Sequence, residues 1–306
     1  MALRSLDNAL PAKLERPKKT MKVATLHSEL PLDSSLNNEN TPPQPKASDP
    51  SAEYIASEDL QALSDPGAKI KVLWEELESK DWTKVCEALN DVRRLALHHS
   101  ALLLPILENV MLIMVKSLKN PRSALCKTAI MTSTDIFHSF GHILLSASDE
   151  TKAFDNLLLQ LLLKASQDKR FVCEEAQKAL DTMAQFTTPL PLLKKLQSCV
   201  NHVNLRVRAK AAVSISKCVS NMELEIIKEF GLGTLLQIAA ELLNDRLPDA
   251  REAARSIINV IHSGFPKKDD TKENDDEEET SETWQSFCSS NLPPISAQSV
   301  AKLVSQ

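Results

Sequence analysis

The stretch Ser79-Lys80-Asp81-Trp82-Thr83-Lys84-Val85-Cys86-Glu87-Ala88-Leu89 decides how the chain is read. It joins one apolar helix to a second through a very short turn, with a large aromatic, Trp82, opening the second helix. Val85, Ala88, Leu89, Val92 and Leu95 follow at helical spacing. The same event recurs down the chain, a short polar turn and then an Ala-rich helix. It recurs at Lys119-Asn120-Pro121-Arg122, Gln167-Asp168-Lys169-Arg170-Phe171, Asn201-His202-Val203-Asn204 and Asn244-Asp245-Arg246-Leu247-Pro248-Asp249. Successive turns lie roughly 35 to 50 residues apart, the period of HEAT-type helical repeats. Stacking such repeats sets the turns along one edge, which is then the working surface.

Composition agrees. Of 306 residues, 42% are hydrophobic and 25% charged, while aromatics reach only 4% and there are 5 Gly. A β-sandwich or barrel needs Gly-rich turns and aromatic strands, whereas stacked helices need Ala, Leu and few breakers. The reading is an all-α solenoid of five to six helix pairs.

The flanks differ from the repeats. Residues 1–56 mix Pro, Ser, Asn and Lys with isolated Leu, a composition that cannot offset the cost of ordering. They read as a disordered basic, Pro-rich arm, with Thr41-Pro42 as a phosphorylation dipeptide. The helical domain is assigned to residues 57–266, and Ile55 and Leu60 open it with a short helix. Residues 267–283 form an acidic linker. Residues 284–306 resume an apolar pattern weakly, at Trp284, Phe287, Leu292, Ile295, Val300 and Leu303, as a cap or partial sixth repeat.

Within the repeats, Ile70, Leu73, Trp74 and Leu77 form one apolar stripe. Residues 102–118 form a helix apolar nearly all round. Gly141 marks a helix end or kink, Phe171 joins the core of its helix, and residues 224–243 supply the first helix of the fifth repeat. No run approaches the ~18 apolar residues of a membrane helix, and no secretion signal is evident. The 6 Cys form no CxxC or Cys/His cluster and read as free thiols of a reducing compartment, which points to the cytoplasm.

No catalytic constellation is present: no GxSxG, HExxH, phosphate-binding Gly-rich loop or kinase set. The 7 His are scattered. The reading is therefore a non-enzyme with no metal or cofactor. Mixed charge, net −5, argues against a nucleic-acid face.

The turns carry what signal there is. Trp82 either packs across its own turn or stands as an exposed contact residue, since Trp supplies large contact area at low entropic cost. Lys80, Lys119, Arg122, Lys169, Arg170, Arg206 and Arg208 lie at or beside the first four turns, and Arg246 lies in the fifth. One such charge is ordinary solvated surface; their recurrence suits an acidic protein partner. Arg208 and Arg251 sit just inside their helices, where pairing with an Asp of the turn, Asp245 or Asp249 for Arg251, is the structural alternative.

The series resembles a TOG domain, the tubulin-binding HEAT array of microtubule regulators, and is most similar to the CLASP and crescerin branches. The resemblance covers roughly residues 64–265. It is carried by Asp81-Trp82 with Glu87-Ala88-Leu89, by Lys169-Arg170-Phe171-Val172-Cys173-Glu174-Glu175-Ala176 and its continuation, and more generally by Asn204-Leu205-Arg206-Val207-Arg208. It implies a cytoskeletal protein whose intra-repeat turns contact αβ-tubulin or microtubules. By position Trp82 would meet β-tubulin, with Lys80, Lys119, Arg122, Lys169, Arg170, Arg206 or Arg208 on acidic tubulin surface and Arg246 in the fifth turn. Two departures stand out: the interrupted sixth repeat, and a single domain where family members use arrays. The competing reading is a HEAT adaptor that recruits another protein without tubulin. The sequence sets no oligomeric state.

Overall fold

The structure is a computed structural model that describes residues 54–145, 152–265 and 283–304. The arm up to residue 53, Thr41-Pro42 within it, and the acidic linker up to residue 282 lie outside the described residues.

A short polar side chain ties down the start of the first helix and four of the five turns within the repeats. Asp65 Oδ1 accepts the Ala68 amide at 2.8 Å and Pro66 fills the first position of α1 (Pro66–Leu77). Before α2 (Trp82–His98), Asp81 Oδ1 accepts the Thr83 amide at 3.0 Å and the Thr83 hydroxyl at 2.7 Å. Asn120 accepts from Arg122 N, Asn204 from Arg206 N and Asp245 from Leu247 N, at 2.9, 3.0 and 2.8 Å. The same side-chain turn thus precedes α2, α5 (Ser123–Leu144), α9 (Leu205–Ser220) and α12 (Pro248–Ser263). Asn and Asp do this because their carboxamide or carboxylate reaches the amide two residues on.

The remaining elements are α3 (Ser100–Leu103), α4 (Leu107–Leu118), α6 (Ala153–Ala165), α7 (Arg170–Phe186), α8 (Pro189–Cys199), α10 (Leu224–Phe230), α11 (Leu232–Leu242), α13 (Trp284–Asn291) and α14 (Pro294–Leu303). Among the described residues there is no strand. α2, α5, α7, α9 and α12 pack in succession as one layer, and α1, α4, α6, α8 and α11 each pair with the helix that follows. The all-α solenoid expected from the periodicity is the fold observed.

Two predicted helices are broken, each for a local reason. Residues 102–118 divide at Pro105, which cannot donate to the ladder: α3 ends, a tight turn spans Leu104–Ile106 and α4 begins. By length and hydropathy Ser100–Leu118 would suffice to cross a membrane, contrary to the expectation that no run comes close; here α4 packs against α5 and α6. The fifth repeat's first helix divides at Gly231, whose φ of 106° only glycine adopts without strain. At Gly141 the reverse holds. α5 runs straight through it, and the missing side chain lets the end of α7 approach, since a Cβ there would lie 2.4 Å from the Phe186 carbonyl oxygen. Trp74, expected in the apolar stripe of α1, is 39% exposed, while Leu73 and Leu77 face the core.

The segment before α1 crosses α2 and α5. Arg93, fully buried in α2, donates Nε to Asp135 of α5 at 2.6 Å and its other nitrogens to Asn90 Oδ1, the Ile55 carbonyl and Ser57 Oγ. At the other end, α13 lies against α11: Gln237 donates to the Asn291 carbonyl at 3.2 Å, and Trp284 sits edge-on to His262 and Phe265.

Candidate functional site

Contacts between consecutive turns place them on one edge. From the first turn to the second, the Arg122 guanidinium lies 4.9 Å above the Trp82 ring. From the second to the third, Lys169 Nζ donates to Ser123 Oγ at 3.1 Å. From the third to the fourth, Arg206 donates to Asp168 Oδ1 at 2.6 Å and to the Ser166 carbonyl. From the fourth to the fifth, Arg208 Nε and Nη2 both reach Asp245 Oδ2, at 3.2 and 3.0 Å. Each contact spans one repeat, so the turns form a continuous ridge.

This geometry reassigns much of the positive charge. Arg122, Lys169, Arg206 and Arg208 all bond within the ridge, and Arg208 is further held by the His202 carbonyl at 3.2 Å. Arg170 pairs with Glu174 of its own helix at 2.7 Å, although its side chain is 89% exposed. Among the described residues Lys80, Lys119 and Arg246 are exposed and make no ion pair. Arg251 bonds the carbonyls of Asp245 and Arg246, not a carboxylate, because the Asp245 side chain is taken by Arg208 and the Leu247 amide.

Trp82 is half-buried. It packs against the core on one side and under Arg122 on the other, as the packing reading expects, and part of the ring stays exposed. Asp81 beside it is held below the usual carboxylate range, first by the Thr83 hydroxyl and then by the Thr83 amide. Negative charge is favoured there in any case, since it sits at the N-terminus of α2.

Two apolar residues of the ridge escaped sequence reasoning. Phe171, read as core, is 46% exposed at the start of α7, and Val203 in the fourth turn is 90% exposed. Helical phase contains the signal for Phe171: Val172, Ala176, Ala179, Leu180 and Met183 mark the buried side of α7, and residue 171 falls with Glu174 and Lys178 on the other. Nothing in phase identifies a turn valine.

Clefts open between the turns. One of about 290 Å³ lies among the last three, lined by Asp168, Arg206, Lys210, Leu247, Pro248 and Asp249. Another of about 280 Å³ lies beside Trp82, between Lys80, Lys116 and Asn120. Among the described residues no group of three or more His, Cys, Asp or Glu is placed to hold a metal ion.

No protein-family model matches the chain. Against curated proteins it is 29% identical over 226 residues to the TOG array regulator of axonemal microtubules protein 1 of Mus musculus, covering 71% of this chain and 12% of that protein. Its Homo sapiens counterpart is 30% identical over 139 residues, covering 45% and 8%. The chain thus spans only a small fraction of the curated relatives it matches. A TOG domain from C. elegans Zyg9 superposes with a TM-score of 0.51 at 16% identity, over 68% of this chain and 80% of that one. A structure described under microtubule plus-end tracking by XMAP215, CLIP-170 and EB1 gives 0.52 at 14% identity, over 80% and 94%. The helical repeats of this chain have the fold of a TOG domain.

Proposed function

We infer that this protein is a non-enzymatic, microtubule-associated protein that binds αβ-tubulin through the ridge of intra-repeat turns and thereby acts on microtubule organisation or dynamics. The observation that carries the reading is the unbroken run of turn-to-turn contacts from Trp82 to Asp245, which gives a partner one continuous surface. The fold of tubulin-binding relatives and the similarity to a regulator of axonemal microtubules support it. Residues 57–266 are taken as the binding module and 284–306 as the element closing its end. The arm, 1–56, whose Tyr54 and Ile55 are held against Lys127 and Arg93 of the domain, and the linker, 267–283, are tails, and the site of action is the cytoplasmic cytoskeleton.

The contact chemistry differs from an array of free cations. Trp82, Phe171 and Val203 offer apolar area at three turns, and Lys80, Lys119 and Arg246 add charge at three. Exposed ion pairs are worth about 0.2–1 kcal/mol each, so affinity rests on the apolar tips and charge sets orientation and encounter.

The test is gel filtration of the full chain with purified αβ-tubulin at low and physiological salt. Co-elution is expected, lost on combining Phe171→Ser with Val203→Asp while the far-UV spectrum at 25 °C is unchanged, because Val203 is 90% exposed and Phe171 46% exposed at a helix start. Separate elution at low salt would overturn the reading.

A further inference from the structure

We propose that Ser57 is a phosphorylation site, taken by an acid-directed Ser/Thr protein kinase, and that the phosphate unlatches the segment Tyr54–Leu63 from the face of α2 and α5. This rests on a different face from the turn ridge and stands or falls independently of tubulin.

Ser57 is the point where the segment enters the buried charge network. Its hydroxyl donates to Asp135 Oδ1 at 2.7 Å and accepts from Arg93 Nη2 at 3.2 Å. Around it, the Tyr54 ring lies under the Lys127 ammonium at 4.3 Å, and Arg93 Nη1 holds the Ile55 carbonyl at 2.8 Å. Leu60 is buried, and its carbonyl meets His98 Nε2 at 2.7 Å. The backbone is one short turn, Ser57–Asp59, with no helix or sheet ladder to resist opening. Glu58 and Asp59 follow the serine and are both exposed, the charge pattern that a kinase with a basic substrate groove selects.

In the transfer the Ser57 oxygen forms a bond to the γ-phosphorus of ATP, the bond to the β-phosphate oxygen breaks, ADP leaves and the hydroxyl proton passes to solvent. The product cannot keep the latch. The donor that Asp135 used is gone, and a group of about −1.5 to −2 charge takes its place against a carboxylate. Arg93 supplies one positive charge, already committed to Asp135 at 2.6 Å. Opening leaves the domain intact, because Arg93 keeps Asp135 and Asn90 as partners after the Ile55 carbonyl and Ser57 have left. The segment is therefore a two-state element that one added charge biases.

The test compares the full chain carrying phosphoserine at 57, Ser57→Ala and the unmodified protein by amide hydrogen exchange with mass spectrometry. Ser57→Ala removes both hydrogen bonds of the hydroxyl, each worth about fivefold, and speeds exchange of residues 54–63 by about 25-fold. Phosphoserine is expected to exceed that by about tenfold or more, the equivalent of 1.4 kcal/mol, with α9 and α12 unchanged. Exchange no faster than in Ser57→Ala would mean that the phosphate is accommodated on Arg93, and faster exchange in α9 and α12 would mean that the stack unfolds; either overturns the latch. Treatment with an acid-directed kinase and Mg–ATP, followed by peptide mapping, is expected to place phosphate on Ser57. Phosphate found only at other residues overturns the assignment.

Discussion

Truncating Trp82 to alanine separates its packing in the fold from its proposed contact with tubulin, because the two differ in size and in assay. Removing a fully buried Trp costs about 3–5 kcal/mol; this one is half-buried, so the packing loss is about 2 kcal/mol. The helix start survives, since Asp81 still caps α2 through Thr83. For a domain of this size each kcal/mol lowers Tm by about 2–4 °C, which predicts a drop of about 4–8 °C with the far-UV spectrum at 25 °C unaltered. On binding, loss of a hot-spot aromatic costs about 2–4 kcal/mol, or roughly 30- to 900-fold in Kd. The assay is a tubulin titration followed by fluorescence anisotropy beside a thermal melt. Arg122→Ala is the companion variant, since the guanidinium stacks on the ring and acts through it; in the Trp82→Ala background it is expected to cost nothing further in affinity. A lowered Tm with an affinity loss under about 1 kcal/mol, the figure for a bystander contact, would refute the reasoning and leave the indole as a packing element alone.

Asp135→Ala strands the fully buried Arg93 and is expected to cost about 3–5 kcal/mol, whereas Arg93→Met with Asp135→Leu recovers most of it; urea melts decide, and a single-variant cost under about 1 kcal/mol sinks the network's structural role. Gly141→Ala drives a methyl into the Phe186 carbonyl and is expected to destabilise by about 1–3 kcal/mol, against the gain of a few tenths to 1 kcal/mol that Gly→Ala gives in an open helix; the sign of the Tm change is the readout. Burial pushes the Cys218 thiol up to about 12, so it stays protonated and unreactive to iodoacetamide at pH 8.5 until the protein unfolds. Its folded value lies above the unfolded one, so the associated stability is intact below pH 9 and is lost as pH rises towards 12; labelling of native Cys218 at pH 8.5 contradicts this.

The repeat architecture was legible in the sequence because its signals are local. An Asx side chain closing a turn, a proline at a helix start and an apolar stripe need no knowledge of what lies across the fold. The candidate site was legible only in part, because it is made by contacts between repeats. From the sequence, Lys169, Arg206 and Arg208 are cations at turns; in the structure they reach Ser123, Asp168 and Asp245 one repeat away. The same spacing that aligns cations for a partner aligns each with the neighbouring turn's polar groups, and the intramolecular partner is always present. Charge counting therefore overstates the positive surface. The converse error occurred inside. A charge within an apolar helix reads as surface, so Arg93 drew no notice, though it shares the flank of α2 with Cys86 and Asn90, both buried. That flank is covered by α5 together with the segment before α1, which Arg93 meets through Asp135, the Ile55 carbonyl and Ser57. Under the proposed function, a ridge held by its own pairing offers a partner mainly what does not pair internally, Phe171, Val203 and the part of Trp82 that Arg122 and the core leave exposed. Mutating the free cations Lys80, Lys119 and Arg246 should therefore slow association and flatten its salt dependence more than it speeds release.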